Sequence, residues 1–351
     1  MPRNPFKRPG LWLLAIATIA AVAGATWMTW MPGRTVKEPL PELTAVEAAL
    51  SARLESDVRA LSMDIGERNL FTADTMTAAA DWIETRLHEA GCDPDRHAYE
   101  LSGNSVPVLA GRRAYNLVAE ISGTERPEEV VVIGAHYDTV PGSPGANDNA
   151  SSVAALLALA EWFRERPQPR TLRFVAFANE EPPIFFSPDM GSHAYAARSR
   201  ERDERIIAMM SMDGIGYFSD APGSQGYPMP GLGLIYPSRG NFIAFVSRFS
   251  DARLLRRAIG AFREGTSIPS EGALLPGGLP GVSWSDHWSF WQHDYPAFLV
   301  TDTLPFRDPY YHTPQDTAER LDYQRMARVV EGLKTVIATL ATHTPSPNEA
   351  M

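Results

Sequence analysis

Apolar residues recur along this chain at two distinct periods. Over 44–59 and 72–91 they return every three to four positions; in the second stretch Ala79, Trp82, Ile83 and Leu87 share one face, and Gly91 follows as a C-cap. Tyr115–Ile121 alternates as a half-buried strand, and a turn over 123–129 follows. The run 130–135 is wholly apolar, and 172–178 and 206–212 are apolar but for Arg173 and Ser211, the mark of strands covered on both faces. Helices are expected over 150–166, 191–200, 241–249, 252–263 and 324–340, and a strand over 297–302. The Gly- and Pro-rich stretches 214–237 and 272–281 read as irregular. Strands alternating with helices predict an α/β fold: a mixed, mainly parallel twisted sheet between two layers of helices. It would occupy 44–345, after a Pro-rich linker over 32–43.

The first 31 residues do not belong to that pattern. Arg3, Lys7 and Arg8 form a basic, cytoplasmic flank (1–10) before an uncharged run from Leu11 to Met31. About 20 apolar residues suffice to cross a bilayer as a helix, and Trp27 and Trp30 sit where indoles favour the interface. The competing reading is a cleaved signal segment, with small residues at Ala21-Val22-Ala23 and Ala23-Gly24-Ala25. Both readings place the body outside the cytoplasm, periplasmic or extracellular, either membrane-anchored or secreted.

Net charge is −10, and the body carries no basic cluster, which argues against a nucleic-acid partner. Cys92 is the only cysteine, so an exported body must rely on its core rather than on a disulfide.

Candidate chemistry lies at strand ends, where open α/β sheets build their sites. The run VVVIGAHYD delivers His136 and Asp138, LRFVAFANEE delivers Glu180 and Glu181, and IIAMMSMD delivers Asp213. His136 and Asp138 point the same way on an extended backbone, so the carboxylate can orient the imidazole. Asp148 lies in GANDNASS, before the helix at Ala150; Asn147, Asn149 and Ser151 can cap that helix, leaving Asp148 free to bridge two cations. Two adjacent carboxylates at the end of a buried strand repel unless their roles differ: one a metal ligand, one a general base. His312, in RDPYYHTPQDT, supplies a second imidazole. Mixed His and carboxylate donors without sulfur suit zinc, and two such ions would activate a water together.

The series HYD, GANDNASS, ANEEPP, SMDGIGYF, SDHWSF and YYHTPQDT resembles the M28 family of zinc peptidases, over roughly Tyr115–Tyr323. The resemblance implies the zinc-exopeptidase αβα fold and two Zn2+ per chain. One would be held by His136, Asp148 and Asp213, the other by Asp148, Glu181 and His312. It further implies Glu180 as general base, Asp138 behind His136, Tyr311 as an oxyanion donor, and a supporting place for Asp286 and His287. The activity implied is release of N-terminal residues from peptides. Other readings are a single-zinc glutaminyl cyclase, or a binding ectodomain without activity. A serine hydrolase is disfavoured, since no G-x-S-x-G elbow is present. Walls of the substrate pocket are expected from 214–236 and 272–291.

Overall fold

The computed structural model describes residues 9–343, with side chains omitted at 9–12 and at Ala21. Arg3, Lys7 and Arg8 of the basic flank therefore fall outside the described residues. Eight strands form one sheet, in the order β1-β2-β4-β3-β5-β8-β6-β7. They are β1 Pro94–Glu100, β2 Arg113–Ile121, β3 Arg126–His136, β4 Arg170–Phe177, β5 Arg205–Met212, β6 Ile243–Ser247, β7 Ser270–Leu274 and β8 Ala297–Thr301. The centre, β4-β3-β5-β8, is parallel. The pairs β1/β2, β2/β4 and β6/β8 are antiparallel, and β6/β7 is parallel.

Side chains on β3 sort by face, as a strand's period of two requires. Val131, Ile133 and Ala135 join a core with α2 (Ala45–Arg59), α3 (Ala73–Glu89), α4 (Ser152–Arg164), α6 (Ala252–Gly265) and α8 (Tyr323–Thr342). Val130 and Val132 face the opposite core, beside Tyr195 and Ala196 of α5 (Gly191–Glu201) and Phe290 and Trp291 of α7 (His287–Gln292). Thr44 caps α2 with a reciprocal bond to Glu47, and Gly91 adopts a positive φ of 76° after α3.

Three expectations need correction. Residues 241–249 are not a helix: Ile243–Ser247 is β6, because Ile243 and Phe245 bury on one face while Ala244 and Val246 take the other. The irregular stretch 272–281 begins within strand β7, so order replaces its first residues, and the short helix His287–Gln292 after it was not expected. Strand β1, with the polar sequence PDRHAYE, was not expected; it is an edge strand buried only in part.

The apolar N-terminal run is helical as α1 (Pro9–Thr29), yet among the described residues no helix is long and apolar enough to cross a membrane. The expected span is therefore unsupported. Thr18, Thr26 and Thr29 break its apolar surface, with their hydroxyls turned onto backbone carbonyls. Its indoles also meet protein: Arg256 of α6 lies over the rings of Trp27 and Trp30, and Trp27 packs edge-on against Phe249.

Gly191 starts α5 directly behind the end of β4. A Cβ there would sit 2.2 Å from Asn116 Oδ1 and 2.5 Å from the Ala178 carbonyl. Asn116 uses that oxygen to accept from the Ala178 N–H and its amide to reach Gly191 O and His97. Gly191→Ala should therefore cost about 1–3 kcal/mol in urea unfolding. A neutral result would mean that the helix can slide without disturbing β4.

Candidate metal centre

Parallel strands β4, β3 and β5 end side by side, and their ends set the site. His136 closes β3, Glu180 and Glu181 follow β4, and Asp213 follows β5. Asn179 makes the turn between Phe177 and the glutamates with φ 59°, a conformation asparagine tolerates better than most residues. Its amide donates to Tyr99 Oη at 2.7 Å. His312 enters from the far loop, also at a positive φ of 60°. All of these side chains except His312 are buried.

The two oxygens of Asp148 diverge. Oδ1 lies 3.3 Å from His136 Nε2, and Oδ2 lies 3.1 Å from His312 Nε2. His136 Nε2 is also 3.3 Å from Asp213 Oδ1, and His312 Nε2 is 3.1 Å from Glu181 Oε2. Donor atoms of His136, Asp148 and Asp213 thus gather within 4.8 Å of one another, as do those of Asp148, Glu181 and His312. A third grouping joins His136 with Glu180 and Glu181. Glu180 Oε2 is 3.9 Å from His136 Nε2. Asp138 stands behind: its oxygens accept from the Glu180 and Glu181 N–H groups at 3.0 and 3.1 Å, and Oδ1 is 3.5 Å from His136 Nδ1.

Burial raises the pKa of Glu181 to about 8, with the Asp148 charge adding to it. Burial likewise pushes Glu180 well up, aided by Glu181 and Asp213 and opposed by His136. For His312, burial opposes the charged form, but Asp148 and Glu181 prevail and hold it up to about 10. Four buried carboxylates thus compete for two imidazoles. Glu181 Oε1 is buried without a hydrogen-bond partner, and His312 Nε2 sits between two carboxylates without hydrogen-bonding geometry to either. A divalent cation would satisfy both, and the mixed nitrogen and oxygen donors fit zinc.

Tyr311 stacks on His312 with ring centroids 3.7 Å apart, and burial raises its phenol pKa. Asp286 is fully buried nearby, where burial pushes it to about 7 and its charge acts on Glu180. His287 is turned to structure: Nε2 lies 2.8 Å from the Val282 carbonyl, and burial lowers it to about 4.

Several supporting residues gave no signal in the sequence. Arg68 is buried, and its guanidinium donates to the carbonyls of Leu61, Gly66, Tyr137, Pro144 and Gly145. It thereby clamps the loops carrying Asp138 and Asp148. Burial lowers its pKa to about 10 against the pull of Asp138, Asp316, Asp148 and Glu181. Asp316 accepts from the N–H groups of Asn147 and Asp148. Asn147, Asn149 and Ser151 do not cap α4, as their side chains bond across to Met212–Gly216, to Asp302 and Asp308, or back onto their own loop.

Such an arrangement, at the carboxyl ends of a sheet in an αβα fold, is the mark of a hydrolase that works through bound metal. Residues 116–337 match the pattern of Peptidase family M28, and the chain belongs to that family. It is 38% identical over 293 residues to the protein YfbL of Escherichia coli (strain K12), covering 81% of this chain and 87% of that one. It is 27% identical over 285 residues to a probable leucine aminopeptidase 1 of Trichophyton verrucosum, covering 76% and 69%. The fold is shared with BSAP, a zinc aminopeptidase from Bacillus subtilis, at TM-score 0.65 and 14% identity over 84% of this chain and 95% of that one. The protein is a metallopeptidase.

Asp138→Asn should weaken zinc affinity by roughly 10- to 100-fold in chelator competition, since an amide cannot accept from both N–H groups and still face the imidazole. Arg68→Met should lower stability by about 3 kcal/mol or more, because it strands buried carbonyls. Unchanged chemical denaturation of the metal-free variant would show that the clamp is dispensable.

Proposed function

We propose that the protein removes N-terminal residues from peptides at a site holding two zinc ions. The observation that carries this reading is the split of Asp148 between two donor triads, one with His136 and Asp213, the other with Glu181 and His312. Zinc there would polarise the scissile carbonyl and make the attacking water more acidic. Glu180 stands beside both triads, and its raised pKa suits a group that takes a proton from water and returns it to the leaving amine. Tyr311 keeps its phenol proton and can donate a hydrogen bond to the carbonyl oxygen as charge develops. Asp138 orients His136 and fixes the glutamate backbone. We assign the peptidase body to 44–345. We infer an exported location from the basic flank and the apolar run at the N-terminus; membrane fractionation and N-terminal sequencing test it.

Purified protein should cleave aminoacyl chromogenic amides, lose that activity to a chelator and regain it with zinc. Metal analysis should give two zinc ions per chain. Glu180→Gln should retain zinc and lose about 100-fold or more in kcat. One zinc per chain with cyclisation of N-terminal glutamine, and no release of amino acids, would instead make it a glutaminyl cyclase.

A further inference from the structure

A cavity of about 100 Å³ opens beside the metal centre, with Asp213 and Tyr311 in its wall. Strands β6 and β7 build the far side. Ala244 pairs with Glu271 and Val246 with Ala273 in their register, and all four line the cavity. Gly272 faces the other way, where a Cβ would meet Met31 and Ile259. Most of the remaining wall is apolar, including Phe242, Leu299 and Phe306. Apart from Asp213, the lining holds a single acid, Glu271.

Glu271 has no hydrogen-bond or ion-pair partner among the described residues, although burial and the distant pull of Arg263 both act on it. Arg263 is committed elsewhere, donating to Ser270 and to the carbonyls of Met31 and Pro32. The nearby tyrosines are committed too: Tyr227 Oη donates to Pro237 O and Tyr236 Oη to Gly272 O. Their rings stack with centroids 6.0 Å apart and line the same cavity, leaving aromatic surface beside the carboxylate. An apolar side chain filling this space would desolvate Glu271 and leave it unpaired, which is costly. A cationic side chain would lay its methylene stem on the apolar wall and meet the carboxylate with its head.

We propose that Glu271 makes this cavity a receptor for the lysine or arginine side chain at the N-terminus of the substrate. The assignment rests on the aminopeptidase reading, because it places the released residue's side chain in the cavity next to Asp213 and Tyr311.

The test compares lysyl, arginyl, leucyl and phenylalanyl p-nitroanilides on the zinc-loaded wild type, Glu271→Gln and Glu271→Asp. Equilibrium binding of free arginine and free leucine is measured alongside. Basic substrates should exceed leucyl by at least about tenfold in kcat/KM. Glu271→Gln, nearly the same in shape, should lose at least about tenfold on basic substrates, chiefly in KM, and change the leucyl value by less than about threefold. Glu271→Asp should restore part of the preference. A wild type that favours leucyl, or an equal loss on both classes in Glu271→Gln, would overturn the proposal. If no amide is cleaved, yet arginine binds more tightly than leucine and Glu271→Gln abolishes the difference, the aminopeptidase reading fails, and what stands is Glu271 as the cavity's receptor for a cationic side chain. Equal binding of arginine and leucine to the wild type removes the assignment, whatever the activity.

Discussion

Asp148, Glu180, Glu181 and Asp213 are buried together at the ends of three adjacent strands, with only two imidazoles among them. Charges removed from water repel strongly unless something positive lies between them, and protonation is the alternative that the raised glutamate pKa values express. A bound cation reverses that balance, favouring the ionised carboxylates and drawing the donors inward. The same repulsion that makes the site costly without metal makes it a strong binder of metal. Much of the surrounding structure serves to hold the side chains in place against that repulsion.

That restraint comes from backbone as much as from side chains. Arg68 fastens the turns after β3, and Asp316 fastens the peptide groups on either side of Asn147. Gly145 is required at the bend before them: at φ 60° its missing Cβ leaves room for Thr139 and the Asp148 carbonyl, 2.3 and 2.4 Å from where that atom would lie. Asn147 in turn donates to Asp302 and Asp308, which come from the loop after β8. Four segments distant in sequence are thus tied to one another before any ligand enters. Preorganisation of this kind lets a metal bind without first ordering the loops that hold it.

The strands bearing the donors were readable because burial on both faces leaves a run apolar at nearly every position, and each such run is followed within three residues by an acid or a histidine. Where burial is one-sided or the element short, the pattern fails. Strand β6 offers five residues, IAFVS, whose apolar positions satisfy a helical spacing as well as an extended one, and only pairing with β7 and β8 decides between them. Strand β1 is polar because it lies at the sheet edge. Arg68 and Asp316 were invisible for a different reason: each acts through backbone groups of distant segments, and no local period records such a partnership.

The misread strands also show how chemistry and selectivity are divided in this fold. His136, Glu180, Glu181 and Asp213 stand at or just past the ends of β3, β4 and β5, where any change of register would displace a donor, while Asp148 and His312 come from loops. The cavity wall with Glu271 stands on β6 and β7, joined to the centre through β8 and free of metal-binding side chains. Under the proposed assignment a residue on that wall can change without disturbing the donors, since Ala244, Glu271 and Ala273 would meet the substrate side chain and not the reacting carbonyl. A carboxylate at 271 is informative because neither the metal centre nor the core requires one there.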